Sequence, residues 1–517
     1  MRPLQINILS WTIKCIDTKS SHQKLSTFWC EKYIFVGVIS LFLSNCAVGP
    51  NYKRPVTPLP KMYIAKSLSP KTVASKTKLG ASQSFVANKD IPAQWWQLFH
   101  SRSLNDLIIA SMRTNPSIEA AQEALRTALE TAYAQQGALF PFLGISFSPT
   151  TQKTANILTS VLANNQYQYS LFTGQLFVSY IPDVFGGTRR QLESLMAQAE
   201  SQRFQLEATY LALTANVVNA AIQEAALREQ IIATRQIIMN QKKLLAMLQQ
   251  QLKLGDAALS DVTAQRAALA ASTATLPPLE KQLAIQGDLL NALTGRFPDD
   301  PQTPIFRLNS LKLPTQLPIA VPSQLIEHRP DIRAAEEQMH AANALIGVSI
   351  ANRLPNFTIN STNLGTAATT LGTLLQPDTQ FWALAGIIAQ PIFYGGSLRH
   401  KQRAAEATYR QAAAQYRATV INAFQNVADT LKAIQLDAFA LRAASNAEQA
   451  ALTSLTIARR QLVLGDSNVA ALLINQQAYH QAHLNLIQAQ ANRLTDTVAL
   501  FQALGGGWEN AGELKEY

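Results

Sequence analysis

Residues 188–253 contain neither proline nor glycine, and apolar positions recur along them at intervals of four and three. Phe204, Ala208, Leu211, Ala215, Val218, Ile222 and Ala225 keep that rhythm. Residues 397–464 are equally uninterrupted, and Tyr416, Val420, Ala423 and Val427 repeat the spacing. This pattern lays one apolar stripe along a helix and predicts coiled-coil packing. A helix of such length extends ~100 Å at 1.5 Å per residue. Alanine at the seam lets helix axes approach closely. Between the helical runs the period changes to two. Leu143, Ile145 and Phe147 alternate with Gly144, Ser146 and Ser148. Leu176, Val178 and Tyr180 alternate with Gln175 and Ser179, with Phe177 breaking the pattern. Phe357 and Ile359 alternate with Thr358 and Asn360, and 380–390 is nearly apolar throughout. Four strands are predicted, each with one apolar and one small or polar face.

Proline and glycine punctuate the two patterns at matching places. Residues 115–147 align with 329–361, bringing Pro116 and Pro141 onto Pro330 and Pro355 at an offset of 214. Gly186-Gly187 corresponds to Gly395-Gly396 at 209, and Gly255 to Gly465 at 210. Landmarks in the same order identify a duplication. Each half reads as helix, two strands, long helix, turn, shorter helix. Pro141 and Pro355 end the ascending helices, and the Gly-Gly pairs are the strand–helix joints. Gly255-Asp256 and Gly465-Asp466 mark sharp turns where a residue takes positive φ. The long helices fold back onto 257–296, interrupted at Pro277-Pro278, and 467–504. The expected organisation is a signal over 1–45, an extended, partly disordered tether over 46–95, a first repeat over 96–297, a Pro-rich linker over 298–322, a second repeat over 323–508 and a tail over 509–517.

Composition places this architecture outside the cytoplasm. The run 33–43 is continuously apolar, follows Lys32 and is too short to span a bilayer as a helix. It reads as the core of a secretory signal. Leu43-Ser44-Asn45-Cys46 resembles a bacterial lipobox, with Asn45 where Gly, Ala or Ser is usual, so Cys46 is the expected lipidation site. An uncleaved anchor with an inert thiol is the alternative. Cleavage removes Cys15 and Cys30, leaving no pair for a disulfide. The formal charge is +11, and five basic and two acidic residues precede Cys46, which leaves +8. These charges alternate in sign and form no aromatic-interleaved basic block, so no nucleic-acid role is indicated. No later apolar stretch reaches transmembrane-helix length, and a membrane crossing must therefore use strands.

Four strands cannot close a barrel, and open edges are not tolerated in hydrocarbon. Single-chain barrels need at least ~8 strands. Several copies must pool their hairpins. Two copies give an interior filled by side chains, while three give twelve strands and a water-filled bore.

Other candidate chemistry is weak. His480 and His483 lie i, i+3 on a helix without a third ligand, so no metal site is expected. No nucleophile triad, phosphate loop or dinucleotide fingerprint occurs, and no enzyme activity is expected. The sequence LGGGW (504–508) lacks a strand–helix context and reads as a loop. Trp95-Trp96 reads as core packing, and Arg189-Arg190 as residues at the membrane–periplasm boundary, with solvation alone as the alternative.

The chain resembles the TolC-like outer membrane factors, closest to the lipid-anchored branch serving resistance–nodulation–division pumps. The resemblance rests on LSNCAVGPNYKRP (43–55), WWQLFHSRSLNDLI (95–108), NPSI with RPDI, both Gly-Gly joints, GDAALSDVTAQ, GDSNVAALLINQQ and LFQALGGGW (500–508). It covers essentially residues 46–508. It implies a mainly α fold with β, in which duplicated coiled-coil hairpins form a periplasmic α-barrel beneath a trimeric twelve-stranded β-barrel. It further implies an exit duct in the outer membrane, passively conducting small molecules for an inner-membrane pump through a periplasmic adaptor. Adaptor contact is expected at Leu254, Gly255, Asp256, Leu464, Gly465 and Asp466. Arg459, Arg460 and Asp466 mark the gate region, where the acidic ring common in such ducts is not evident. No cofactor is implied beyond covalent lipid on Cys46. A coiled-coil envelope spacer and a type I secretion duct are the alternatives, and a spacer has no use for two strand hairpins.

Overall fold

Asn115 ends one helix and begins another. Its side chain accepts from Ser117 N at 2.8 Å, and Pro116 occupies the first helical position, where its missing N–H is not needed. The same proline device, Pro330, opens the corresponding helix of the second repeat. The computed structural model describes residues 47–55, 62–64, 69–87, 89–157, 166–300, 304–319 and 322–508. Cys46 with its expected lipid, the signal 1–45 and the tail 509–517 lie outside the described residues.

In chain order, the segment before the first repeat carries β1 (Ser84–Ala87), and the first repeat contains α1 (Arg102–Thr114), α2 (Pro116–Gly137), β2 (Phe142–Lys153), β3 (Gln168–Tyr180), α3 (Gly187–Leu254), α4 (Leu259–Ala274) and α5 (Leu276–Leu293). The linker carries β4 (Gln316–Ile319). The second repeat contains α6 (Pro322–His328), α7 (Pro330–Ala351), β5 (Asn356–Ala368), β6 (Gln380–Ala389), α8 (Ser397–Leu464) and α9 (Val469–Ala503). The expected break at Pro277-Pro278 falls at Thr275, and the two prolines open α5.

Both long helices begin after a left-handed glycine and end at another. Gly186 and Gly396 precede α3 and α8, and Gly255 and Gly465 follow them. At each lower end the N–H after the glycine reaches back to close the last turn, Asp256 N to Gln251 O at 2.8 Å and Asp466 N to Gln461 O at 2.9 Å. The seam of α8 is a single buried stripe from Tyr416 through Val420, Ala423 and Val427 to Leu441. On α3 the prediction of one seam is too narrow. Residues 213–226 are buried on several sides within the mid-height core, where α3 meets α1, α5 and α9, while Ala208 and Leu211 are only half-buried.

Four strands form one antiparallel sheet in the order β2-β3-β5-β6. The helices continuing from them lie side by side as α2, α3, α7, α8. Both layers therefore have the same order, with edges at β2 with α2 and at β6 with α8.

A core at mid-height joins the repeats. Trp95 stacks on Phe501 at 5.3 Å, and Phe99, Leu104, Phe306 and Leu317 are buried beside them. Trp95 and Trp96 are core residues. The linker contributes β4, which pairs in parallel with β1. Residues 69–87, within the expected tether, pack against α9 and the linker. Buried Arg493 on α9 donates to Leu79 O at 2.9 Å, Ala81 O at 3.2 Å and Gln83 Oε1 at 2.8 Å, while Gln83 Nε2 donates to Pro314 O at 3.0 Å. Burial lowers the Arg493 pKa to about 10, against the opposing field of Asp437.

Candidate functional site

The strand register separates two chemically distinct sheet faces. Residues paired directly across an antiparallel ladder share a face. Leu143, Ile145 and Phe147 pair with Val178, Leu176 and Gly174. Beyond the β3–β5 pairing, Phe357, Ile359 and Ser361 pair with Ile388, Gly386 and Leu384. This face is apolar and outward, with Ile145 84 % and Trp382 78 % exposed. The opposite face carries Gly144, Ser146, Ser148, Gln175, Ser179, Thr358 and Asn360, with Ser179 Oγ donating to Asn360 Oδ1 at 2.8 Å. Phe177 broke the sequence alternation because it lies on this second face. Its ring packs over Gly144, where an added Cβ would come within 2.8 Å of Phe177 Cζ, and it meets Phe142 at 5.9 Å.

Pro141 and Pro355 lie between ascending helix and strand, and the glycine pairs lie between strand and long helix. Gly186, Gly395 and Gly396 adopt φ of 74°, 57° and 82°. Gly187 instead needs smallness, since an added Cβ would sit 2.9 Å from Ala351 Cβ. At the first joint Asp183 caps α3 by accepting from Thr188 N and Arg189 N, and Phe185 packs on Phe357. The second joint has Ile392, Phe393 and Tyr394 strongly exposed at the sheet edge.

Arg189 and Arg190 flank the first strand–helix joint and are both paired, so the alternative of solvation alone does not describe them. Arg189 Nε is 3.2 Å from Asp183 Oδ2. Arg190 is buried and donates to Val48 O at 3.2 Å, Asn51 Oδ1 at 2.6 Å and Glu193 Oε2 at 2.7 Å. Val48 N donates to Phe185 O at 3.0 Å, and an added Cβ on Gly186 would meet Ala47 Cα at 2.6 Å. Tyr52 stacks on His340 at 4.4 Å, and Arg54 reaches Glu336 at 2.9 Å. The segment following Cys46 is thereby seated against the first strand–helix joint. Only its spacing before the proline-rich stretch was visible in the sequence.

At the far end, Leu254 and Leu464 are exposed beside Gly255 and Gly465, and an added Cβ at either glycine would meet nothing within 4 Å. Asp256 and Asp466 follow, and Arg459 and Arg460 are exposed on α8 above the second turn. An apolar cluster joins the two hairpins near these tips, with Leu244, Leu248 and Val262 against Leu455, Val469 and Leu472. Gln241, Gln265 and Gln476 are buried on the same elements, and Gln265 Nε2 donates to Gln241 O at 3.0 Å. His480 is half-buried, and burial followed by the field of His483 holds its pKa down. His483 Nδ1 faces Glu448 Oε1 at 3.3 Å and its ring stacks on Tyr479. Among the described residues no three such groups converge into a metal site.

Higher on the same hairpin, the Asp496 carboxyl of α9 lies close to that of Asp437 on α8. Burial, followed by the neighbouring Asp437, raises the Asp496 pKa to about 7. Nothing in the local sequence signals this pairing, because it depends on the register of two helices.

The family model described as outer membrane efflux protein matches residues 107–296 and 321–506. The pyoverdine export outer membrane protein OpmQ of Pseudomonas putida is 28% identical over 438 residues, covering 83% of this chain and 91% of its own. The toluene efflux pump outer membrane protein TtgC of Pseudomonas putida is 27% identical over 492 residues, covering 94% and 98%. The solved outer-membrane channel OprN superposes with a TM-score of 0.80 at 25% identity, covering 90% of this chain and all of that one.

Proposed function

The chain belongs to the outer membrane efflux protein family, and from that premise we propose that it works as a lipid-anchored homotrimer, coupled through a periplasmic adaptor to an inner-membrane resistance–nodulation–division pump. It is an outer-membrane channel protein of efflux, and the family consists of channels rather than enzymes. The finer reading concerns how many copies assemble, what they dock and how they are anchored.

One observation carries the assembly. The strand layer and the helix layer end on the same two edges, β2 with α2 and β6 with α8. The edge strand β6 is exposed along its whole length, and an unpaired ladder facing hydrocarbon leaves each N–H and C=O unsatisfied at a cost of several kcal/mol. Joining β6 of one copy to β2 of the next removes both edges. It also covers Phe393 and Tyr394 in the way Phe357 covers Phe185 within the chain. Three copies make twelve strands, with the apolar face toward lipid and the serine- and threonine-rich face toward a wet bore.

The seat of Ala47 and Val48 at the strand–helix joint supports a lipid on Cys46, since an acyl group there enters the bilayer beside the apolar face. The exposed leucines at the glycine turns suit contact with a helical adaptor. In this reading transport is passive. The duct provides a low-barrier aqueous path, and the inner-membrane pump drives the flow.

The test is Ile145→Lys combined with Ile359→Lys, which puts two charges on the lipid face at roughly 2–4 kcal/mol each near mid-bilayer. The double variant is expected to lose membrane insertion, whereas the unaltered protein extracts as a trimer that conducts ions in planar bilayers. Normal insertion of the variant, or a non-conducting monomer from the unaltered chain, overturns the proposal.

A further inference from the structure

A groove of about 800 Å³ opens between α2 and α3 where α1 ends. Its walls include Met112, Ile118, Leu206, Tyr210 and Leu211, with Arg113, Arg203, Glu119 and Glu207 as the charged lining residues. Across its 22 residues α2 buries only Ile118 and Ala132, so one long element of the wall is held weakly along this face.

The chain itself is led to the mouth of this groove. Gly505, Gly506 and Gly507 adopt φ of 97°, 69° and 70° in succession. An added Cβ would lie 2.4 Å from His328 O at Gly505, 2.2 Å from Leu211 Cδ1 at Gly506 and 2.4 Å from Ile91 O at Gly507. At Gly505 and Gly507 any side chain would meet backbone, and all three positions have the left-handed φ that favours glycine. Trp508 then fixes the direction. Its Nε1 donates to His328 O at 2.7 Å, its ring meets Phe204 edge-on at 5.8 Å, and it lines the groove together with Gly505 and Gly506. Three glycines and a tethered tryptophan are a costly way to build a plain loop.

We infer that the nine residues after Trp508, Glu509-Asn-Ala-Gly-Glu-Leu-Lys-Glu-Tyr517, occupy this groove and fasten α2 to α3. Leu514 and Tyr517 are their large apolar residues and match the apolar walls. Reach is sufficient. Six extended residues from Trp508 to Leu514 cover ~20 Å, while Ile118 to Leu125 along α2 is ~10 Å. The groove lies on the flank of α2 that already faces α3 of the same chain, with Gln122 Nε2 donating to Tyr210 OH at 2.9 Å. The next copy would approach the opposite flank.

The test uses the full chain. Leu125→Cys and Leu514→Cys in one chain, treated with a short bismaleimide, are expected to give a linked peptide pair identified by mass spectrometry. Coexpressed chains carrying one substitution each are expected to give none. A link between the coexpressed chains assigns the groove to a neighbouring copy, and absence of a link in the double-cysteine chain leaves it to another occupant. Either result overturns the inference. In parallel, Leu514→Asp with Tyr517→Asp should raise amide exchange over residues 118–125 about tenfold. Unchanged exchange there also counts against it.

Discussion

Arg190 Nη2 lies 2.6 Å from Asn51 Oδ1, joining the segment after Cys46 to the first turn of α3. The same guanidinium serves Val48 O and Glu193, so its removal strands several acceptors at once. Arg190→Met is expected to destabilise the protein by roughly 3 kcal/mol, since each buried unsatisfied group costs ~1–3 kcal/mol. Trypsin cleavage at exposed Lys53 should accelerate markedly. Arg190→Lys should recover only part of the loss, because an ammonium cannot hold acceptors in a planar fork.

The Asp437–Asp496 pair gives stability a pH dependence on the alkaline side. The folded pKa of Asp496 is raised to about 7 from the ordinary 3.8. The native state therefore binds a proton that the unfolded chain has released. Stability from this pair is complete below pH ~4 and is lost as pH rises through about 7. Asp496→Asn keeps a neutral hydrogen-bonding group and should flatten the trend. The difference between variant and parent in urea unfolding should reach the order of 1 kcal/mol at pH 8, allowing for screening at a half-exposed site. Parallel curves from pH 4 to 8 would remove this role for the pair.

The glycine turns at the tips should tolerate substitution in stability while losing contact geometry. Gly465 has φ of 77° with open space around it, so Gly465→Ala meets only backbone strain of about 1 kcal/mol. Substituting Gly255 and Gly465 together should change thermal unfolding little, yet reduce drug tolerance conferred on a strain lacking the chromosomal duct. A full drop in protein level would instead indicate a folding role.

Ala423 is fully buried on the α8 stripe. Ala423→Leu adds a branched side chain where the axes are close, and overpacking of this kind costs ~1–3 kcal/mol. Urea titration should show an earlier midpoint. The exposed neighbouring control Asn422→Leu should leave it in place.

Much of this framework was legible in the sequence because it is periodic. The runs without glycine or proline become α3 and α8, and the repeated glycines become their ends, since local backbone chemistry settles both. The alternation of β2 and β5 gave the sheet faces, and Phe177 escaped only because its neighbour Gly144 leaves room for a ring on the wrong side. Arginine burial was not legible. Arg190 and Arg493 look like surface residues until carbonyls from far along the chain meet them, 142 and 414 positions away at Val48 and Leu79. The parallel ladder between 84–87 and 316–319 was hidden for the same reason. Short strands carry little pattern, and pairing across such a separation leaves no local trace.

The two long helices have the same length, 68 residues each, between matched glycines. Their lower turns thus reach one level and share nearly the same local sequence, QLKLGD at 251–256 and QLVLGD at 461–466. Three copies would offer six near-equivalent prongs, a crown with pseudo-sixfold symmetry on a threefold body. Any collar that grips it must either repeat six times or tell apart two sockets of similar outline, so the duplication constrains the stoichiometry of whatever binds below.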